Sequence, residues 1–223
     1  MSRFLNRTEA GKALAEVLAE RNYDDPVVLA LPRGGVPVAI EVVRALKVPL
    51  DLVMVRKIGA PGQQELAVAA VVNGDDPQIV TNEGIMLALG LTDEDIEQMS
   101  KSRLEEIRRR RGVYLSGRAQ VPIKGRTAIV VDDGIATGAT TRASLKAVRK
   151  RDPAKLVLAV PVAPEDVVED LRGEVDEVIC LSTPYPFQAI GLHYVDFGQT
   201  LDEEVVRLLD EAAELIGEGG SGD

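Results

Sequence analysis

The amino-acid sequence predicts an α/β protein: an open, mostly parallel, twisted sheet with helices on both faces, plus a small hood or insert. Three observations lead there. A short, wholly apolar, β-branched run at Val27–Leu31 and apolar, β-branched stretches within 127–132 and 155–162 give the pattern of strands buried on both faces. Segments with helical periodicity alternate with them, which is the signature of βαβ units. The chain of 223 residues is 45% hydrophobic, enough to bury a sizeable core.

Taken in order, Leu14, Val17 and Leu18 recur at helical spacing after Thr8, so residues 8 to 21 read as an amphipathic helix with Thr8 as its N-cap. Strand 27–31 ends in the breakers Pro32, Gly34 and Gly35. A helix over 36–46 and a second buried strand over 48–55 complete a first βαβ unit. The stretch IGAPGQQE after Arg56 and Lys57 has no apolar period and reads as a mobile loop. Leu66–Val72 and Gln78–Val80 are strand-like, with the turn former NGDDP between them, and predict a hairpin or edge pair. Thr92 precedes Asp93, Glu94 and Asp95 and predicts a helix that ends in Arg108–Arg111, an order of charge that suits the helix dipole. That arginine run reads as a solvated helix end, with anion binding as its alternative. Strand 127–132, helix 139–151, strand 155–162, helix 164–172 and strand 176–181 repeat the alternation. A last helix covers about 202–216. The expected organisation is a single domain over 1–216: core about 25–72 and 124–182, a helical insert about 82–118, a C-terminal segment 183–216, and a disordered tail 217–223.

Composition narrows the function. A net charge of −10 and 3% aromatic residues without Trp argue against a general nucleic-acid or membrane-surface binder. Residues 164–223 carry 16 acidic and 2 basic residues, and the first 163 carry 20 and 24, so an anionic ligand is expected on the earlier part. One cysteine, Cys180, excludes an internal disulfide framework and a thiolate metal site; in an apolar strand it reads as a small core residue. The start, MSRFLNRTEAGK, lacks a signal peptide's apolar stretch, so a cytoplasmic location is expected.

The most informative stretch is TAIVVDDGIATGATT, residues 127 to 141. An apolar strand runs into two carboxylates, Asp132 and Asp133, and then into a small-residue loop that opens a helix. Ala136, Gly138 and Ala139 let backbone N–H groups approach an anion, Thr137 and Thr140 add hydroxyls, and the helix N-terminus adds positive potential. Such a loop cradles a monophosphate. Paired carboxylates at a strand's carboxyl end can accept bonds from sugar hydroxyls and hold hydrated Mg²⁺ indirectly. The chain has no GxxxxGK[ST], and no GxGxxG follows its first strand, so kinase and dehydrogenase readings lose their main support.

At DDGIATGAT the sequence resembles the type I phosphoribosyltransferases, whose signature is an apolar strand, two acidic residues and a T-G-x-T loop for the 5′-phosphate of phosphoribosyl pyrophosphate. The resemblance covers most of residues 27 to 181. FLNRTEAG and PGQQELAVAAV look most like a poorly characterised bacterial subgroup. It implies a pyrophosphate loop at Pro32, Arg33, Gly34 and Gly35 with a cis Pro32–Arg33 peptide, and a flexible catalytic loop opened by Arg56 and Lys57 that closes over the reacting centre. It also implies transfer of the 5-phosphoribosyl group to a small nitrogenous, nucleobase-like acceptor with release of pyrophosphate. Mg²⁺ would be held indirectly by Asp132 and Asp133. Phe187 would lie against the base, with core packing as the equal alternative, and His193 reads as a packed or surface residue. One departure matters: the hypoxanthine-guanine subclass has an Asp where this chain has Ala136, so nothing selects a 6-oxopurine. A non-catalytic regulator of the same fold that senses phosphoribosyl pyrophosphate or a nucleotide is the alternative, and a nucleic-acid-binding attenuator a third. Small α/β enzymes are often symmetric dimers, which makes a homodimer the candidate assembly.

Overall fold

The computed structural model describes residues 3–73, 77–115 and 118–217. The centre of the NGDDP turn and the tail beyond Gly217 lie outside the described residues. In chain order the elements are α1 (Arg7–Ala19), β1 (Pro26–Ala30), α2 (Gly35–Leu46), β2 (Leu50–Leu52), β3 (Val55–Ala60), β4 (Gln63–Val72), β5 (Gln78–Thr81), α3 (Glu83–Leu89), α4 (Asp93–Leu115), β6 (Thr127–Val131), α5 (Ala139–Arg149), β7 (Lys155–Val162), α6 (Glu165–Arg172), β8 (Glu177–Ser182), a 3-10 turn (Ile190–His193) and α7 (Asp202–Leu215).

Five strands form one parallel sheet in the order β2-β1-β6-β7-β8. Side chains alternate across it, as the period of two requires. Val28, Ala30, Ile129, Val131 and Val157 pack on the side of α1, α2 and α7. Val27, Leu29, Val130, Leu156 and Leu158 pack on the side of α5 and α6. Both faces are therefore covered, and the predicted α/β architecture is what the chain adopts.

Four expectations are corrected. The second apolar run does not make one strand over 48–55: β2 stops at Leu52, and the chain leaves the parallel sheet to start β3 at Val55. Apolar character alone could not locate that break. The stretch read as a mobile loop is a hairpin instead, β3 and β4 pairing antiparallel around Pro61–Gly62, with β5 added on the other edge of β4. Proline followed by a glycine at φ +77° makes the turn, and Ile58 and Ala60 bury on the inner side. The first helix is capped earlier than expected, by Asn6, whose side chain accepts the Glu9 N–H at 3.0 Å. Thr92 does cap α4, reciprocally with Asp95. That helix continues past Arg108–Arg111 to Leu115, and Arg111 is not solvated: it is buried, 3.5 Å from the buried carboxylate of Asp51 on β2.

Candidate active site

The site is assembled at the carboxyl end of β6, where the parallel sheet presents its loops. Asp132 and Asp133 follow Val131 directly. Asp132 Oδ1 accepts the Asp133 N–H at 2.8 Å, and Asp133 Oδ2 accepts Arg7 Nε at 2.8 Å. Arg7 also donates from Nη1 to the Gly198 carbonyl at 2.7 Å and lies 3.9 Å over the Phe197 ring. The Tyr194 hydroxyl donates to the Asp133 backbone carbonyl at 2.5 Å. Burial raises the Asp132 pKa well above the ordinary carboxylate value, and the Asp133 charge adds to it. Burial raises Asp133 as well, against the opposing pull of Arg7.

The loop after β1 presses against this pair. A Cβ on Gly34 would lie 2.0 Å from Asp133 Oδ2, and one on Gly35 would lie 2.7 Å from the Val131 carbonyl. Both glycines are thus required by the close approach of the two strand ends. The Gly35 N–H donates to Leu31 at 3.0 Å as α2 begins, so it closes a turn. The Pro32–Arg33 peptide is cis, as the resemblance implies. Arg33 Nη1 stands 3.4 Å from Asp202 Oδ1, which also accepts the Tyr114 hydroxyl at 2.7 Å. A cavity of about 400 Å³ opens among Arg7, Arg33, Asp133, Gln199 and Thr200.

On the other side, the loop from Ala136 leads into α5. Gly138 caps the helix at φ +74° and offers no side chain to its first N–H groups. Ala136, Thr137, Ala139 and Thr140 are exposed. Lys57 shares a cavity of about 660 Å³ with Thr137 and Ala139. Its neighbour Arg56 sits on the opposite face of β3, as adjacent strand residues must, and pairs with Glu106 of α4 at 2.9 Å. Arg56 is therefore not brought to the phosphate-loop cavity with Lys57. Phe187 is half-buried and stacks on His193 with ring centroids 4.9 Å apart; it packs on the cluster of Ala10, Val162 and Tyr194. Cys180, expected in the core, is a half-buried strand residue packed against the core on the side of α5 and α6, and burial pushes its thiol up.

Among the described residues no three His, Cys, Asp or Glu side chains are grouped to hold a metal. Asp132 and Asp133 nevertheless offer hard carboxylate oxygens, a donor set that suits Mg²⁺ with most of its ligands from water and substrate. No helix of the described residues is long and apolar enough to cross a membrane.

The model of the phosphoribosyl transferase domain matches residues 3–197. The chain belongs to this family. A solved structure, that of TT1426 from Thermus thermophilus, is 43% identical with a TM-score of 0.82, over 94% of this chain and 98% of that one. Two Mycobacterium tuberculosis proteins, named "Putative phosphoribosyl transferase Rv0571c" and "Putative phosphoribosyl transferase MT0597", are each 44% identical over 221 residues. The chain spans about half the length of these curated relatives, 49% against 99% of its own.

Within this phosphoribosyltransferase frame, sequence reasoning does not find Arg7, Tyr194, Phe197 or Glu106. For Arg7 a signal exists. It opens α1, where a cation opposes the helix dipole, so something outside the helix must hold it there; Asp133 and Phe197 do. Phe4 ties the same region together, exchanging backbone bonds with His193 and Val195 at 3.0 and 2.8 Å.

Proposed function

We propose that the chain is a phosphoribosyltransferase that moves the 5-phosphoribosyl group from phosphoribosyl pyrophosphate to a nucleobase-like nitrogen, acting as one unit over residues 1–216. The observation that carries this reading is the cavity joining Lys57 to the uncapped start of α5, on the loop that follows the Asp132–Asp133 carboxylate pair. The 5′-phosphate sits on Ala136–Thr140, held by main-chain N–H groups and by the Thr137 and Thr140 hydroxyls. Asp132 and Asp133 accept from the ribose hydroxyls. In the reaction the bond from C1 to pyrophosphate oxygen breaks, the oxygen keeps the electron pair, and the acceptor nitrogen bonds to C1 and later loses its proton. Positive charge develops on the ribose, so carboxylates below it matter most at that moment. Lys57, with Arg33 beside Gly34 and Gly35, meets the leaving group's charge, and Arg56 braces β3 on α4. Mg²⁺ bound to the pyrophosphate would supply further charge neutralisation, held by Asp132 and Asp133 through water or ribose hydroxyls. Phe187 is the aromatic candidate for the base.

Pyrophosphate release, screened over nitrogenous bases with Mg²⁺ and phosphoribosyl pyrophosphate, tests this reading. Activity is expected with at least one base. Asp132→Asn with Asp133→Asn should then lower turnover at least about tenfold more than it weakens ground-state binding. Equal losses would mean the pair only holds substrate.

A second reading has its own support. Arg7, Arg33 and Arg56 are all engaged by carboxylates of the chain itself, Asp133, Asp202 and Glu106. That arrangement suits a sensor of phosphoribosyl pyrophosphate or a nucleotide that binds without turnover. Tight binding with no pyrophosphate released from any base would favour it.

A further inference from the structure

The cavity beside the phosphate loop is larger than one phosphate needs, and it has a direction. Ala139, Arg142, Ala143 and Lys146 line it at the spacing of one helix face, so it follows α5 from its N-terminus for two turns. At a rise of about 1.5 Å per residue that wall is about 10 Å long. Ala67, Ala69 and Ala70 of β4 and Val80 of β5 form the facing wall, small side chains that leave the groove open. At its far end Lys150 Nζ donates to the Ile79 carbonyl at 3.3 Å, pinning α5 to β5 and bounding the groove there.

The charge along this groove is positive beyond what the phosphate loop requires. Lys57 lines it from β3 and Lys146 two turns along α5, and among the described residues neither forms an ion pair. Arg142 lies between them with one nitrogen held by Glu174 at 2.8 Å, and Glu83 is the acidic residue on the lining. A monophosphate resting on Thr137–Thr140 leaves Lys146 unanswered. A chain of two or three phosphoryl groups, met by a lysine on a flexible four-carbon stem, does not.

We infer that this groove binds a 5′-polyphosphate: a nucleoside 5′-di- or triphosphate whose first phosphate rests on the Thr137–Thr140 loop and whose further phosphates run along α5 to Lys146. The inference rests on the reading of that loop as a 5′-phosphate site. Such a ligand competes with phosphoribosyl pyrophosphate for the loop, so it couples occupancy of the transferase site to the level of phosphorylated nucleotides.

Isothermal titration of the full chain with ribose 5-phosphate and with the mono-, di- and triphosphates of adenosine and guanosine tests it. For at least one nucleoside the triphosphate should bind about tenfold tighter than the monophosphate, the gain expected from new charge-assisted contacts. Lys146→Glu, a change at an exposed position, should bring that ratio below about twofold while ribose 5-phosphate keeps its affinity. Lys12→Glu, which reverses the same charge on α1 across the sheet, should leave the ratio intact. Equal binding of mono- and triphosphates, or a Lys146→Glu loss shared equally by all ligands, overturns the inference and leaves the phosphate-loop reading standing. Failure of ribose 5-phosphate and every monophosphate to bind overturns both.

Discussion

Arg7 shows how one residue can join segments far apart in the chain. It stands 126 positions from Asp133, and its guanidinium is used on three sides: the carboxylate, the Gly198 carbonyl and the Phe197 ring. Both side chains of the ion pair are nearly buried, 13% and 11% exposed, so removing the cation leaves Asp133 facing Asp132 without its counter-charge. Arg7→Ala should cost about 2 kcal/mol, which lowers the melting temperature by about 4–8 °C in a chain of this size. Arg7→Lys should recover only part, because an ammonium cannot both bond and stack as the planar fork does. A melting temperature of Arg7→Ala equal to that of the unsubstituted chain would show that Asp133 needs no partner. The carboxylate pair was legible in the sequence because strand, acidic pair and small-residue loop are contiguous. Arg7 was not, because its partners are set by tertiary contact, and only its awkward place at a helix start hints at them.

At the scale of elements, the regular alternation of the parallel sheet was readable because its central strands, β1, β6 and β7, are apolar runs polar only at their first residue, if at all. The hood was harder. Leu66–Val72 of β4 is apolar and reads as a strand, but Arg56, Lys57, Gly59, Gln63 and Gln64 break the pattern on β3 and at the start of β4, so the pairing of the two depends on the turn between them and on α4 behind. Gly62 carries the turn at φ +77°, and an added Cβ there meets nothing within 4 Å. The loss in Gly62→Val is therefore conformational alone, about 1–2 kcal/mol for a left-handed residue with a branched side chain. Hydrogen exchange should show faster exchange at β3 and β4 amides while β1 and β6 stay protected. Equal protection throughout would mean that the hairpin is held by α4 and α5 and needs no special turn. The same dependence explains the broken second strand. Val53 and Met54 are as apolar and as buried as the β2 residue before them, yet the chain turns there into the hood.

For the whole molecule, titration of different carboxylates pulls stability in opposite directions. The hydrogen bond from Arg56 leads in holding Glu106 below its ordinary value, and that from Tyr114 does the same for Asp202. Groups lowered by folding stabilise above their ordinary pKa, and that contribution is lost as pH falls through the folded value. Asp132 behaves in the opposite sense. Burial, followed by the Asp133 charge, raises it, so between its ordinary and its raised value the folded chain holds a proton that the unfolded chain has released. Its contribution is full below the ordinary value of 3.8 and declines as pH rises through the raised one. Asp132→Asn keeps an acceptor for the Asp133 N–H and removes that decline. In buffer free of divalent cations and phosphates the variant should be about 1 kcal/mol more stable than the unsubstituted chain at about pH 8, a rise of about 2–4 °C. The difference should vanish toward about pH 4, where both folded chains are neutral at this position. Paired calorimetric melts across that range decide it: a difference that does not change with pH, or a variant less stable at the alkaline end, would show that Asp132 is ionised in the folded chain without penalty. The expected gain belongs with a loss of turnover in the same variant, since a charge held against its burial is what a developing cation on the ribose would use.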